Sequence, residues 1–289
     1  MSPKAWIRAL CRRERLPDGY ASALEECLAP LAAVFVALRR ARARPIGVGC
    51  SGAGGSGKST LALFPENWLR EEFGTATATL SLDDLYLSKR DRVELARSRH
   101  PLFVTRGVPG THDIALAMEL IDALTGADAQ VMIPVFDKAR DDRRPASEWR
   151  CVDAPVDVVL FEGWCVGASP QPEAALLEPI NALEAEEDAD GAWRRQVNEH
   201  LQADYSSLFE RLDALVYLRV PSFGKVHEWR GLQEAKLVGA PDQEKLTRFV
   251  SHFERLTRHM AEVMPSRADA VIGIDEDHRY TRLEYPGGT

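Results

Sequence analysis

The sequence predicts an α/β fold in three layers, with a mostly parallel sheet covered by helices on both faces. Short apolar runs rich in β-formers alternate with longer helical patterns, which is typical of a parallel sheet. A glycine-rich segment joins the first run to a helical pattern. Two later runs end in acidic residues, at the strand ends where such sheets bind ligands. The 289 residues suffice for one large domain or two small ones.

The predicted elements follow one another along the chain by their periodicity. We expect strands at 46–50, 75–82, 131–135, 156–161, 214–220 and 270–274. We expect helices at 20–44, 58–72, 112–125, 193–211, 223–238 and 242–264.

The organisation of the chain is predicted from pattern and composition. Residues 20–44 carry apolar side chains at helical spacing, so residues 1–44 are expected to be a helical extension packed on the core. Residues 45–289 form the main domain. Within it, the charged region 137–154 is interpreted as a surface excursion that acts as a lid. The acidic stretch 184–191 is expected to be a solvated turn or helix end.

Composition excludes several classes of partner. The net charge of −8 argues against a broad nucleic-acid surface. We find no run of about 18 apolar residues, so no membrane span is expected. The five cysteines are scattered and form no C-x-x-C pair, which favours a reduced, cytoplasmic protein without a zinc site. The oligomeric state is left open.

Residues 52–59, GAGGSGKS, match the phosphate-loop pattern G-x-x-x-x-G-K-[ST] in full. Glycines let successive backbone N–H groups turn towards phosphate oxygens, and the following helix adds its positive end. Lys58 would bridge the outer phosphates, and Ser59 would ligate Mg²⁺. A flexible linker is the alternative, but an apolar strand and a helix frame this segment. The predicted nucleotide-binding residues are Gly52, Ala53, Gly54, Gly55, Ser56, Gly57, Lys58, Ser59 and Thr60.

Two carboxylates stand at strand ends near this loop. Asp83 follows the predicted strand 75–82, and Glu162 follows 156–161. Phosphoryl transfer needs hard oxygen ligands for Mg²⁺ and a group that orients or deprotonates the attacking oxygen. Asp83 is the candidate base, and Asp83, Glu162 and Ser59 are the candidate metal ligands. Asp83 could instead cap a helix, and Glu162 could be an ordinary turn residue.

The order of these motifs resembles one branch of the P-loop kinases, which contains uridine kinase, phosphoribulokinase, pantothenate kinase and D-glycerate 3-kinase. The shared elements are the phosphate loop, a strand ending in Asp-x-[FL]-Tyr about 25 residues later, and a strand ending in Glu-Gly. The resemblance implies the P-loop NTPase fold, ATP and Mg²⁺ as cofactors, and Asp83 as the catalytic base.

Further segments resemble the D-glycerate kinases in particular. They are RGVPGTHD at 106–113, VFDKA at 135–139 followed by DRRP at 142–145, FEGWCVG at 161–167, VNEHL at 197–201 and VHEWR at 226–230. The resemblance covers roughly residues 45–275. It implies transfer of the γ-phosphoryl of ATP to D-glycerate, giving 3-phosphoglycerate.

A small hydroxy acid needs a cation for its carboxylate and hydrogen-bond partners for its hydroxyls. The candidate substrate residues are Tyr86, Arg106, His112, Asp113, Asp137, Lys138 and Arg143. Each also has an ordinary structural interpretation: His112 or Asp113 as a helix cap, Tyr86 as core, the cations as a solvated face. The segment 225–230 begins a helix that resembles the lid helix of the branch. Its Arg230 is a candidate to neutralise charge in the transition state, or a plain surface arginine.

Three other functions compete with this interpretation. The first is a kinase for another small acceptor, such as pantothenate, a nucleoside or a sugar phosphate. The second is an NTPase switch without an acceptor, but we find neither the guanine motif N-K-x-D nor the ABC-type motif L-S-G-G-Q. The third is an inactive binding or scaffold protein, against which the intact Lys58, Asp83 and Glu162 argue.

Overall fold

The computed structural model describes residues 4–16, 19–126, 129–238 and 242–287, and only the backbone of residues 59 and 233–238. The helices are α1 (Ala5–Arg13), α2 (Tyr20–Arg42), α3 (Lys58–Phe73), α4 (Lys89–Ser98), α5 (Ile114–Thr125), α6 (Ala182–Glu187), α7 (Ala192–His200), α8 (Ser206–Phe209), α9 (Phe223–Val238) and α10 (Gln243–Arg267). The strands are β1 (Ile46–Gly52), β2 (Thr77–Ser81), β3 (Ala129–Ile133), β4 (Phe136–Asp137), β5 (Asp142–Arg143), β6 (Arg150–Ala154), β7 (Val158–Gly163), β8 (Ala214–Arg219), β9 (Ala270–Ile274) and β10 (Tyr280–Glu284).

The central sheet has six strands in the order β10-β9-β8-β1-β7-β2. All neighbouring strands are parallel except β10, which runs antiparallel to β9 at the edge. Every residue of β1 and β7 is buried, as expected where helices cover both faces of a parallel sheet. The predicted fold class is therefore confirmed.

Two hydrophobic clusters lie on opposite faces of this sheet. Alternate residues of β7 point to opposite sides. Val158 and Leu160 join the cluster that contains the buried faces of α2 and α3, whereas Val159 and Phe161 join the one that contains α5 and α10. The molecule is thus a helix–sheet–helix sandwich, whose parallel strands all end at one edge.

The N-terminal helix α2 packs into the first cluster through Leu24, Leu28, Leu31 and Phe35, each at most 1% exposed. Among the described helices, α2 alone is long and apolar enough to cross a membrane by length and composition, and the core helix of a soluble protein passes the same test. The expectation of no membrane span therefore stays a prediction, as do the proposed boundary after residue 44 and the lid.

The predicted strand 131–135 occurs as β3 but lies outside the central sheet, so that expectation was wrong. β3 pairs antiparallel with β6, and β4 pairs antiparallel with β5. The side chains of β3 alternate in exposure: Val131 and Ile133 are buried, whereas Gln130 and Met132 are exposed. This alternation is typical of a ribbon with one covered face, and not of a strand covered on both faces. The excursion 137–154 thus contributes β5, β6 and the end of β4 to two short ribbons. The sequence analysis also missed α1, α4 and β10.

The acidic stretch is not simply solvated, contrary to expectation. Glu184 and Asp188 are at most 1% exposed. Arg255 donates to both carboxylate oxygens of Glu184, at 2.8 and 2.6 Å, and Nη1 of Arg194 lies 2.9 Å from Oδ2 of Asp188. Paired, hydrogen-bonded charges can be buried where a single carboxylate cannot. Arg255 lies 71 positions from Glu184, too far along the chain to be seen in the local composition.

Candidate active site

The phosphate loop occupies the turn between β1, which ends at Gly52, and α3, which begins at Lys58. Gly55 and Gly57 have φ angles of +79° and +88°, a left-handed conformation that favours glycine. A Cβ atom at Gly55 would lie 3.0 Å from the Cβ of Trp229 in α9, whereas one at Gly54 would meet nothing within 4 Å. The loop conformation therefore favours glycine at positions 55 and 57, but not at position 54.

We expect Gly55→Ala to weaken nucleotide affinity about tenfold, because the left-handed backbone costs a non-glycine residue about 1–2 kcal/mol and the methyl group presses on Trp229. Gly54→Ala has neither problem and serves as the matched control. Isothermal titration with ADP measures both. Equal affinities in the two variants would contradict the geometric explanation.

Lys58 points its ammonium group into the loop, where Nζ lies 3.1 Å from the carbonyl oxygen of Ala53. Burial lowers the pKa of Lys58, while the charges of Glu162 and Asp83 oppose this shift. Ser56 carries a buried hydroxyl oxygen with no hydrogen-bond partner among the residues described. A desolvated cation and an unused hydroxyl in a glycine loop fit a bound phosphate group.

Asp83 lies in the short 3₁₀ helix Leu82–Leu85, directly after β2. The hydroxyl of Tyr86 donates to Oδ1 at 2.9 Å, and Nζ of Lys138 donates to Oδ2 at 2.7 Å. Burial alone would raise the pKa of Asp83, but the charges of Lys138 and Lys58 and these two hydrogen bonds hold it well below its usual range. The carboxylate is therefore ionised at neutral pH, and it lines a cavity instead of capping the helix.

Glu162 stands at the same sheet edge, near the end of β7. It is 5% exposed, and its Oε1 accepts a hydrogen bond from Ser81 Oγ at 2.8 Å. No group of three His, Cys, Asp or Glu side chains clusters as a metal cage within the described ranges. Mg²⁺ is usually held by one or two carboxylates together with phosphate oxygens, so Asp83 and Glu162 fit it. The side chain of Ser59 lies outside the described part of the chain.

A cavity of about 190 Å³ opens between the phosphate loop and α10. Its cationic side chains are Lys58, Lys138, Arg106 and Arg230, and Asp83 and Tyr86 also line it. A further part of the wall is apolar and aromatic; it consists of Trp164, Val226, Phe249, Val250 and Phe253, with Thr257 beside them. A cavity with a cationic wall and an apolar wall suits a small anion held away from water.

Arg106 lines the cavity and is held there by contacts with Asp141 and Phe136. Its guanidinium forms an ion pair with Asp141 and lies 5.7 Å from the ring centroid of Phe136. Asp141 has a φ of +56° and also pairs with the fully buried Arg92, at 3.0 Å. Because Arg106 has five N–H donors, this pairing leaves others for a ligand.

His112 lies behind Tyr86 and does not line the cavity. The two rings stack with centroids 4.6 Å apart, and Nδ1 of His112 is 2.5 Å from the hydroxyl oxygen of Tyr205. Burial lowers the pKa of His112 to about 3, so the ring is neutral. Its position supports the ring of Tyr86, whose hydroxyl holds Asp83.

Three other predicted substrate residues do not line the cavity; they form structural contacts in the segments around it. Asp113 caps α5 by accepting the N–H of Leu116 at 3.1 Å, and it pairs with Arg143 at 3.1 Å. Arg143 also donates to the carbonyl oxygen of Tyr86 at 2.7 Å. Asp137 accepts two backbone N–H groups of its own turn, at 3.0 and 3.1 Å. Asp113 is therefore the helix cap that the alternative interpretation expected, whereas Arg143, which is 20% exposed, is held by internal contacts and is not on a solvated face.

Sequence reasoning missed the apolar wall. Phe249 and Phe253 are four residues apart on α10, with ring centroids 5.0 Å apart, and Trp164 packs on Phe253 at 5.0 Å. Helical spacing could have placed both phenylalanines on one face. It could not have indicated that this face borders a cavity and not the core.

Two buried histidines are expected to make stability depend on pH. Burial lowers the pKa of His112 to about 3 and that of His252 to about 4, whereas an unfolded histidine titrates near 6.5. Below pH 6.5 the unfolded chain therefore binds more protons, and the free energy of unfolding falls by about 1.4 kcal/mol per pH unit for each histidine. Urea unfolding between pH 7.5 and 5 measures this, and His252→Phe should reduce the slope. An identical slope in that variant would contradict the assignment.

No protein-family model matches the chain. A protein of Schizosaccharomyces pombe, "Uncharacterized kinase mug58", is 34% identical over 224 residues, which are 73% of this chain and 79% of that protein. The chloroplastic D-glycerate 3-kinase of Arabidopsis thaliana is 30% identical over 248 residues. These residues are 81% of this chain, but they span only about half of that enzyme (51%).

A solved structure, D-glycerate 3-kinase from Cryptococcus neoformans var. grubii, superimposes with a TM-score of 0.73. The match covers 89% of this chain and 98% of that one at 22% identity, which shows a shared fold. The chain belongs to the D-glycerate 3-kinase-like family of P-loop kinases and is an ATP-dependent phosphotransferase. The resemblance drawn from the sequence motifs is confirmed.

Proposed function

We propose that this member of the family transfers the γ-phosphoryl group of ATP to a hydroxyl of D-glycerate, giving 3-phosphoglycerate. The observation that carries the proposal is the ionised Asp83, which faces one cavity together with the phosphate loop and the cations Arg106 and Lys138. The name of the Arabidopsis relative, a D-glycerate 3-kinase, supports this acceptor.

The phosphate loop, residues 52–60, would hold the phosphates of ATP, with Lys58 on the outer ones. Ser59, Glu162 and Asp83 would hold Mg²⁺ or its waters. When bound, Mg²⁺ supplies positive charge to the transferring phosphoryl group. The unused hydroxyl of Ser56 and the desolvated ammonium of Lys58 support this use of the loop.

Asp83 orients the attacking hydroxyl and accepts its proton as the new O–P bond forms and the bond from the γ-phosphorus to the bridging oxygen breaks, which leaves ADP. Both carboxylate oxygens are held in place, by Tyr86 and by Lys138, and each oxygen keeps a further acceptor site. Holding the base in one orientation removes an entropic cost from the transfer step. Arg230 lines the same cavity as Lys58 and would there stabilise the charge of the phosphoryl group.

The acceptor carboxylate pairs with Arg106, and its second hydroxyl is hydrogen-bonded by Tyr86 or Lys138. The aromatic wall from α10 keeps water away from the phosphoryl group and so limits hydrolysis. The lid role of 137–154 is part of the proposal, and it is supported by Lys138, which reaches Asp83 from this segment. So is a cytoplasmic location, which the five unpaired cysteines favour.

An acceptor panel tests the proposal. We expect D-glycerate to stimulate ADP release from ATP and Mg²⁺ at least about a hundredfold over the no-acceptor control, because positioning and general-base catalysis need a bound hydroxyl. L-glycerate, glycerol, pantothenate, uridine and ribulose 5-phosphate complete the panel. Glycerol is the matched control, since it has the hydroxyls of glycerate without the carboxylate that Arg106 would bind. NMR of the product gives the phosphorylated position.

Each outcome of the panel decides between functions. Stimulation by pantothenate, uridine or a sugar phosphate, and not by D-glycerate, would show that D-glycerate is not the acceptor. The proposed transfer of the γ-phosphoryl group from ATP to a hydroxyl would then still hold. Equal rates with glycerol and D-glycerate would contradict the proposed ion pair between Arg106 and the acceptor carboxylate. A rate that no acceptor changes would favour an NTPase without an acceptor.

A further inference from the structure

The turn between β9 and β10 reaches across to the phosphate loop. Nε2 of His278, in this turn, lies 3.0 Å from the carbonyl oxygen of Gly55. A carbonyl oxygen can only accept, so the proton of this hydrogen bond is on Nε2. The two residues are 223 positions apart in the chain.

His278 is itself held from two other sides. Its ring centroid lies 3.8 Å from that of Trp229 in α9, and its carbonyl oxygen accepts the hydroxyl of Tyr20 at 3.1 Å. Tyr20 is the first residue of α2 and is 9% exposed. The helices α2 and α9 and the phosphate loop therefore all contact His278.

The backbone of this turn is also fixed. His278 has a φ of +62°, which is uncommon outside glycine. Asp275 Oδ1 accepts the N–H groups of Asp277 and Arg279, at 2.9 and 2.8 Å. These hydrogen bonds fix the backbone from which the imidazole reaches Gly55.

The contact acts on the peptide that follows Gly55. Because a peptide group is planar, its carbonyl and the N–H of Ser56 turn together. His278 holds the carbonyl, and the carbonyl oxygen of Ala53 accepts the Ser56 N–H at 3.2 Å. The carbonyl and the N–H of the peptide group after Gly55, which has a φ of +79°, are therefore both hydrogen-bonded. A loop held in its binding conformation loses less freedom when a nucleotide binds.

We propose that His278 is a positioning residue for the phosphate loop, and that Tyr20 makes the N-terminal helical segment part of the nucleotide site. The proposal rests on the proposed use of this loop for ATP. It assigns residues 1–44 a role that the phosphate-loop motif does not indicate. Neither His278 nor Tyr20 touches the reacting atoms; both act through the conformation of Gly55.

Two full-length variants test the proposal. His278→Phe keeps a ring against Trp229 but removes the donor, and Tyr20→Phe removes one oxygen and keeps its ring against Tyr280. By titration calorimetry without acceptor, we expect the Kd for ATP to rise roughly five- to tenfold in His278→Phe and roughly two- to fivefold in Tyr20→Phe, as for the loss of one hydrogen bond. The KM for the acceptor should stay unchanged. His278→Gln, which restores an N–H donor, should recover part of the affinity.

Asp277→Asn, an exposed change in the same turn, is the matched control and should bind ATP like the native chain. An unchanged Kd for ATP in Tyr20→Phe and in a folded His278→Phe would overturn the proposal. A lower melting temperature with unchanged Kd would likewise show a purely structural contact. If the native chain binds ATP but no acceptor stimulates turnover, the proposed function fails, whereas the comparison of ATP affinities still decides the role of His278.

Discussion

Asp83→Asn is expected to lower kcat by about 10²–10⁴-fold while ATP still binds, because the amide cannot accept the proton of the attacking hydroxyl. The substitution keeps the size of the side chain. Its amide oxygen can still accept the hydrogen bond from Tyr86, whereas its amide nitrogen cannot accept the one from Lys138, so Lys138 loses this partner. Steady-state rates with D-glycerate, together with calorimetry for ATP, separate loss of chemistry from loss of binding.

The pH dependence of the native enzyme gives a second measure of the same group. Lys138 and Lys58 hold the pKa of Asp83 well below the ordinary carboxyl range, against the effect of burial. A lowered pKa keeps the base ionised as the pH falls, so protonation of Asp83 should not reduce kcat between pH 7 and 5. A fall of kcat over this pH range that is absent from the binding of ATP would contradict the lowered pKa of Asp83.

The neighbouring Asp84 provides the matched control. Its carboxylate accepts the N–H of Phe136 at 2.9 Å, and it does not line the cavity as described. An asparagine there keeps an acceptor oxygen, so Asp84→Asn should retain kcat within a few-fold. If Asp83→Asn and Asp84→Asn lowered kcat equally, the loss would indicate a structural effect on this segment and not the loss of a catalytic base at Asp83. If Asp83→Asn retained near-native kcat, Asp83 would not be the base.

The parts of the site that the sequence predicts are those encoded within a few residues. The phosphate loop needs glycines at fixed spacing, so Gly55, Gly57 and Lys58 identify it without knowledge of the fold. Asp83 and Glu162 follow buried strands, and parallel strands end at one edge, so their proximity can be inferred from the alternation of strands and helices.

The parts that the sequence does not predict depend on partners far along the chain. Arginine and aspartate suit a substrate site and a structural ion pair equally well, and only the fold brings Arg143 to Asp113 and leaves Arg106 at the cavity. The burial of Glu184 depends likewise on Arg255. His278 is in a polar turn with no motif, and its contact with Gly55 exists only because β9 and β10 return to the phosphate loop.

Lys58→Met is expected to lower kcat about 10²–10³-fold, because a preorganised cation on the transferring phosphates is lost and methionine supplies no charge. A structural contact offers a competing explanation, since Nζ of Lys58 donates to the carbonyl oxygen of Ala53 and so supports the loop. Loss of this structural contact would lower the melting temperature without nucleotide. Loss of the charge lowers kcat and the stabilisation by ATP, which grows as RT ln(1 + [L]/Kd).

Thermal unfolding with and without ATP, together with kcat, separates the two roles of Lys58. We expect Lys58→Met to melt near the native temperature without ATP and to lose most of the ATP-dependent shift. Lys58→Arg should not restore kcat, since a planar guanidinium does not fit where a compact ammonium is held against Ala53. The exposed Lys89 in α4 gives the control, and Lys89→Met should match the native chain in both measurements. A lower melting temperature with kcat within about fivefold of native would make Lys58 a structural tie of the loop, and the charge on the transferring phosphoryl group would then have to come from Arg230 and Lys138.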